Sequence, residues 1–196
     1  MEARRPIPRS WPRGPGDRDA EALMVKVGDK APAFALKDQE GHTHEVHDYA
    51  GRPLVLYFYP KDDTPGCTKE ACSFRDALPK FQKSNAAVLG ISVLDIASKA
   101  KFAAKHELKF PLLADEDHAV AEKYGAWKKK SLYGKSFMGV ARTTFLIGLD
   151  GRVVRRWDDV RVDGHAEDVL AAVAARRPAP RPGGQGDGHA RRREAG

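Results

Sequence analysis

Leu54-Val55-Leu56-Tyr57-Phe58-Tyr59 is an unbroken apolar run with β-branched and aromatic members, closed off by Pro60. A run this short and this apolar reads as a strand buried on both faces, and such a strand needs other layers of structure above and below it. The neighbouring pattern supplies them. Residues 33–36 and 42–46 predict a hairpin about Asp38-Gln39-Glu40-Gly41, and residues 87–93 a second buried strand. Residues 143–147 and 152–157 flank Asp150-Gly151, a dipeptide favoured in tight hairpins. Helical periodicity runs from Cys67 to Phe81, with a break expected at Pro79, and recurs over 97–106, 119–124 and 167–175. The expectation is an α/β domain over residues 25–176: a central mixed sheet flanked by helices, with an N-terminal β-hairpin.

The basic charge says less about function than its size suggests. The 34 Lys and Arg against 27 Asp and Glu leave +7. Residues 1–24 hold five Arg and four acids and residues 177–196 five Arg and two acids, so the middle keeps only +3. These Pro- and Arg-rich ends bury too little apolar surface to offset the entropy of ordering, and read as disordered tails. Nucleic-acid binding is therefore disfavoured, and Lys128-Lys129-Lys130 reads as a charged loop. Arg4-Arg5 is followed by no apolar segment, so no secretory or twin-arginine signal is legible and a cytoplasmic location is expected. Met24, just before the globular pattern, is a candidate natural start. No stretch approaches the roughly 20 apolar residues of a membrane-spanning helix.

Two cysteines are too few for a disulfide scaffold or a thiolate zinc cage. His42, His44 and His47 have a spacing compatible with metal ligation, but an exposed hairpin strand is the simpler reading. His106, His118 and His165 fall at helix ends and are expected in solvent.

The chemistry concentrates in Pro60-Lys61-Asp62-Asp63-Thr64-Pro65-Gly66-Cys67-Thr68-Lys69-Glu70-Ala71-Cys72. This segment joins the central strand to a helix, at the strand end where α/β sheets place their sites. Thr64 is positioned as N-cap with Pro65 at the first helical position, which puts Cys67 in the first turn. There the free N–H groups and the positive end of the helix dipole favour a thiolate. A thiol with a pKa near about 8.5 is only about 3% ionised at pH 7, so ionisation alone contributes at most about thirtyfold. Further acceleration requires groups that stabilise charge on a leaving oxygen. Thr64 offers a hydroxyl, Gly66 and Cys67 offer N–H groups, and Arg142, just before the strand at 143–147, is the candidate cation. Cys72 follows Cys67 by five residues, which in a helix separates the Cα atoms by about 8.6 Å. A disulfide needs less than about 7 Å, so bonding the pair would require the first helical turns to unwind.

The runs LYFYPKDDTPGCTKEACSFRD, FPLLADED and TTFLIGLDG, with VGDKAPAF near residue 27, closely resemble the peroxiredoxins of the Q type, the bacterioferritin comigratory proteins. The likeness spans about residues 25–174, and its central motif Pro-x-x-x-Thr-x-x-Cys falls on Pro60, Thr64 and Cys67. It implies a thioredoxin-like fold and thiol-dependent reduction of hydrogen peroxide and organic hydroperoxides. It further implies Cys67 as the peroxidatic cysteine and Cys72 as the resolving one in an intramolecular disulfide. Arg142 would bind thiolate and peroxide, with Gly66 at the substrate and Glu70 orienting Arg142. No metal, haem or flavin is implied, and the partners would be peroxides and thioredoxin or a similar dithiol, acting on a monomer or a dimer. Leu94 and Gly148 stand where the family commonly carries acids. Two other classes compete with this reading: a protein disulfide exchanger, disfavoured by the absence of a CxxC spacing, and an interaction module with incidental thiols.

Overall fold

The computed structural model describes residues 24–176; the two expected tails, Met24 apart, lie outside the described residues. Among the described residues, nine strands and four helices follow the order β1 Ala35–Lys37, β2 Thr43–Glu45, β3 Leu54–Phe58, α1 Pro65–Lys83, β4 Ala87–Ser92, α2 Ile96–His106, β5 Leu112–Ala114, α3 Ala119–Lys123, β6 Trp127–Leu132, β7 Lys135–Val140, β8 Thr143–Ile147, β9 Val153–Trp157 and α4 His165–Ala174. A 3-10 turn, Val46–Tyr49, follows β2.

Seven strands form one sheet in the order β2-β1-β5-β4-β3-β8-β9. The inner trio β5-β4-β3 is parallel, and the outer pairings are antiparallel. β3 lies inside the sheet between β4 and β8, and its apolar run divides by the two-residue period of a strand. Val55, Tyr57 and Tyr59 enter one core with Phe74, Phe81, Phe102 and Val169 from α1, α2 and α4. Leu54, Leu56 and Phe58 enter the other with Phe34, Tyr49, Tyr124 and Phe145. At Gly90 of β4 an added Cβ would lie 2.7 Å from the Tyr57 ring, so any larger residue there would displace that ring.

Several sequence expectations need correction. α1 runs without interruption through Pro79. The proline is on the exposed face, while Phe74, Leu78 and Phe81 anchor the opposite face in the core, so packing outweighs the lost hydrogen bond. Lys128–Lys130 is strand, not loop: β6 pairs with β7 from Trp127↔Val140 to Leu132↔Lys135 as a separate two-stranded ribbon. Lys130 donates to the Val140 carbonyl at 2.7 Å, and Lys128 lies 3.3 Å from Asp158. β5 was not expected as a strand at all.

His165 is 6% exposed rather than solvated. Its Nε2 is 2.8 Å from Thr144 Oγ1, and the ring sits edge-on to Phe74 and Trp157. Burial lowers its pKa to about 4. The unfolded chain therefore binds the proton first, and stability falls as the pH drops from about 6.5 toward 4. His165→Gln is expected to remove about 1–2 kcal/mol of the stability loss between pH 7 and pH 5, allowing for solvent screening, as read by urea unfolding at both pH values. An identical pH dependence in the two proteins would contradict this.

Candidate active site

β3 delivers the chain to the edge of the parallel trio, where Tyr59 N–H still bonds the Ile91 carbonyl at 3.0 Å. Pro60–Thr64 then turns into α1, with Asp63 in the left-handed region at φ +57°. Thr64 is the N-cap residue by backbone conformation, but its side chain makes no capping bond. Its hydroxyl donates instead to the Lys61 carbonyl at 3.2 Å, which leaves the oxygen lone pairs free to accept. The Thr68 N–H bonds the Thr64 carbonyl at 2.8 Å as the first turn closes. The N–H groups of Gly66 and Cys67 precede it and have no carbonyl one turn back.

Cys67 is 2% exposed and is a free thiol, as is the half-buried Cys72. Both lie in regular helix, as the spacing argument requires for a reduced pair. Arg142, between β7 and β8, points Nη2 at Cys67 Sγ across 3.5 Å. Gly66 makes this approach possible, since a Cβ there would lie 3.2 Å from the same Nη2. The other guanidinium nitrogen, Nη1, donates to Glu70 Oε2. Pro60, Thr64, Gly66, Cys67, Glu70 and Arg142 are thus assembled around one end of α1, while Cys72 is more than a helical turn further on.

Glu70 is nearly fully buried, and its second oxygen, Oε1, has no hydrogen-bond partner. Burial pushes its carboxyl up to about 7, with Arg142 offsetting only part of the cost. Burial works against the charge of Arg142 too, but Glu70 and then Cys67 more than compensate, so the guanidinium stays charged. The arrangement is a buried sulfur with a cation held 3.5 Å away and two N–H groups of the first helical turn left without carbonyl partners beside it. It suits attack by sulfur on an electrophilic oxygen with the developing charge stabilised.

The histidines whose spacing is compatible with metal ligation are engaged otherwise: His44 bonds Asp38 at 2.8 Å and Tyr49 at 2.6 Å, and among the described residues no group of three or more His, Cys, Asp or Glu is placed to hold a metal ion. Among them, too, no helix is long and apolar enough to cross a membrane.

The family model described as "AhpC/TSA family" matches residues 27–156. The chain belongs to that family. Peroxiredoxin Bcp of Bacillus subtilis is 44% identical over 151 residues, covering 77% of this chain and 96% of the relative. Peroxiredoxin Bcp of Escherichia coli K12 is 43% identical over 146 residues, covering 74% and 94%. A solved structure of Xanthomonas campestris peroxiredoxin Q is 40% identical with a TM-score of 0.72, covering 78% and 96%. A second Xanthomonas campestris structure, of a bacterioferritin comigratory protein described in terms of alkyl peroxide reduction, gives 39% and a TM-score of 0.71 over 77% and 96%. This peroxiredoxin is accordingly a thiol-dependent peroxidase with a thioredoxin-like fold.

Sequence reasoning on the peroxiredoxin missed the groups beneath the loop: Asp62, Ser92, Ser98 and Lys99, all joined by hydrogen bonds. A signal existed. Lys99 precedes Phe102 and Ala103 by three and four residues and so lies on the apolar stripe of its helix, where an unpaired lysine does not belong.

Proposed function

We propose that Cys67 is the peroxidatic cysteine and Cys72 the resolving one, in an enzyme that reduces hydrogen peroxide and organic hydroperoxides. The observation that carries this reading is the Arg142 guanidinium 3.5 Å from the Cys67 sulfur at the open first turn of α1. The Cys67 thiolate attacks one peroxide oxygen and the O–O bond breaks. The alkoxide or hydroxide that leaves meets Arg142 and the N–H groups of Gly66 and Cys67, and departs as alcohol or water after taking up a proton from water, which balances the one the Cys67 thiol released on ionising. Thr64, its hydroxyl hydrogen committed to Lys61, accepts the O–H of the incoming peroxide. Cys67 is left as a sulfenic acid. The first turns of α1 then unwind, Cys72 sulfur attacks Cys67 sulfur, and water leaves as an intramolecular disulfide forms. A dithiol reductant of the thioredoxin kind restores both thiols and is itself oxidised to a disulfide. The cycle runs within one chain, which fits a monomer, and a reducing cytoplasm would supply the dithiol.

The test is Cys72→Ser. One equivalent of peroxide should still consume the Cys67 thiol at a rate within about threefold of wild type, because Cys72 takes no part in the attack. Turnover with a thioredoxin system should fall by at least about tenfold, and intact mass under nonreducing conditions should show a sulfenic acid in place of the loss of two hydrogens. Undiminished recycling would move resolution elsewhere.

A further inference from the structure

Two consecutive aspartates occupy the middle of the loop that carries Thr64 to the first turn of α1. Asp62 is buried, and its carboxylate accepts from Tyr59 OH at 2.6 Å, Ser98 Oγ at 2.7 Å and Ser92 Oγ at 3.4 Å, with Lys99 Nζ 3.1 Å from both oxygens. Lys99 is completely buried, also donates to Ser92 Oγ, and stands 5.2 Å from the centre of the Tyr59 ring. Asp63 turns the other way, to Lys105 Nζ at 2.7 Å and His106 Nε2 at 2.9 Å. Ser98 and Lys99 belong to the first turn of α2 and Lys105 and His106 to its last. That helix therefore grips the loop at both ends. Arg75 of α1 completes the frame by donating to the His106 carbonyl at 2.8 Å.

A buried ion pair is poor value as a source of stability, because desolvation consumes most of the attraction and an apolar pair of similar size often does as well or better. What such a network does supply is a fixed geometry, since every member is satisfied in only one arrangement. We propose that the Asp62–Lys99 pair is a positioning device: it pins the loop to α2 so that Thr64 and the first N–H groups of α1 stay aimed at the Cys67 sulfur. The same pin is the stationary end of the segment when the first turns of α1 unwind. The proposal rests on Cys67 being the peroxidatic residue.

The decisive variant in the full chain is Asp62→Leu combined with Lys99→Met, which exchanges the ion pair for apolar groups. The Tyr59, Ser92 and Ser98 hydroxyls lose their acceptor with the carboxylate, so the variant's melting temperature should fall; the deciding readout is the second-order rate of Cys67 oxidation by hydrogen peroxide well below that temperature, which should fall about 10- to 100-fold, the effect of misplacing reacting groups by about 1 Å. A purely structural pair would show the lower melting temperature with an unchanged rate. Should the double variant fail to fold, Ser98→Ala and Ser98→Thr decide the matter. Loss of one hydroxyl anchor should slow oxidation about fivefold and threonine should restore it; equal rates in all three proteins would overturn the proposal. Cys67→Ser in the same assay separates the two levels. If it still consumes peroxide, the reading of Cys67 fails; if it does not, and the double variant keeps the wild-type rate, only the positioning role fails.

Discussion

Cys67→Ser is expected to abolish peroxide consumption, by a factor on the order of 10⁴ or more, with the fold intact. The Cys67 sulfur is buried, with a cation across 3.5 Å and two open helix N–H groups beside it. A serine hydroxyl there is of similar size but stays protonated, and its oxygen has neither the nucleophilicity nor the higher oxidation states through which sulfur carries the cycle. Because the reacting atom itself is lost, no neighbouring group compensates. A coupled assay with a dithiol reductant and a direct measurement of residual peroxide should agree. Turnover above about a hundredth of the wild-type rate would refute the assignment of Cys67, whatever the state of Cys72.

Arg142→Met is expected to slow Cys67 oxidation by about 10²–10³-fold, the usual effect of removing a preorganised charge-stabilising donor. The same substitution has a second and separable effect. Glu70 loses its partner while its other oxygen is already unpaired, so its carboxyl, already at about 7, is pushed higher still. An acid whose folded pKa exceeds its unfolded one stabilises the fold below the unfolded value and loses that contribution as the pH rises through the folded one. Arg142→Met should therefore lose more stability than wild type between pH 5 and pH 8. Adding Glu70→Gln should cancel that pH dependence without restoring the rate, and recovery of the rate by the double variant would show that Arg142 acts only as a counter-ion to Glu70.

The sequence disclosed the site more fully than the frame around it. Pro60, Thr64, Gly66 and Cys67 are close neighbours in the chain, so their grouping at a strand-to-helix turn follows from local rules. Arg142 is 75 residues from Cys67 and was legible only because it immediately precedes an apolar strand. The ribbon β6–β7 was hidden because three successive lysines erase the two-residue alternation by which a strand is recognised, and the pairing that makes it a strand is with residues 135–140. Pro79 gave a misleading signal: the local cost of a proline is fixed, but whether the helix continues past it is set by the packing of its opposite, apolar face across the domain. The Asp62–Lys99 pair spans 37 residues, and no local pattern reports a partner that far away.

In the cycle proposed above, the two thiols held apart in regular helix make the enzyme a clock. Once oxidised, Cys67 waits for α1 to unwind, and that waiting time is a first-order property of the helix, independent of how much peroxide is present. Further oxidation of the sulfenic acid is a second-order competitor whose rate grows with peroxide. The two rates cross at one concentration, below which the enzyme recycles and above which it is consumed. Helix-end stability of even about 1.4 kcal/mol moves that threshold tenfold if it is lost fully from the unwinding rate. Residues such as Pro65 at the first helical position, which neither make nor break a bond, would thus help set the peroxide dose the enzyme survives.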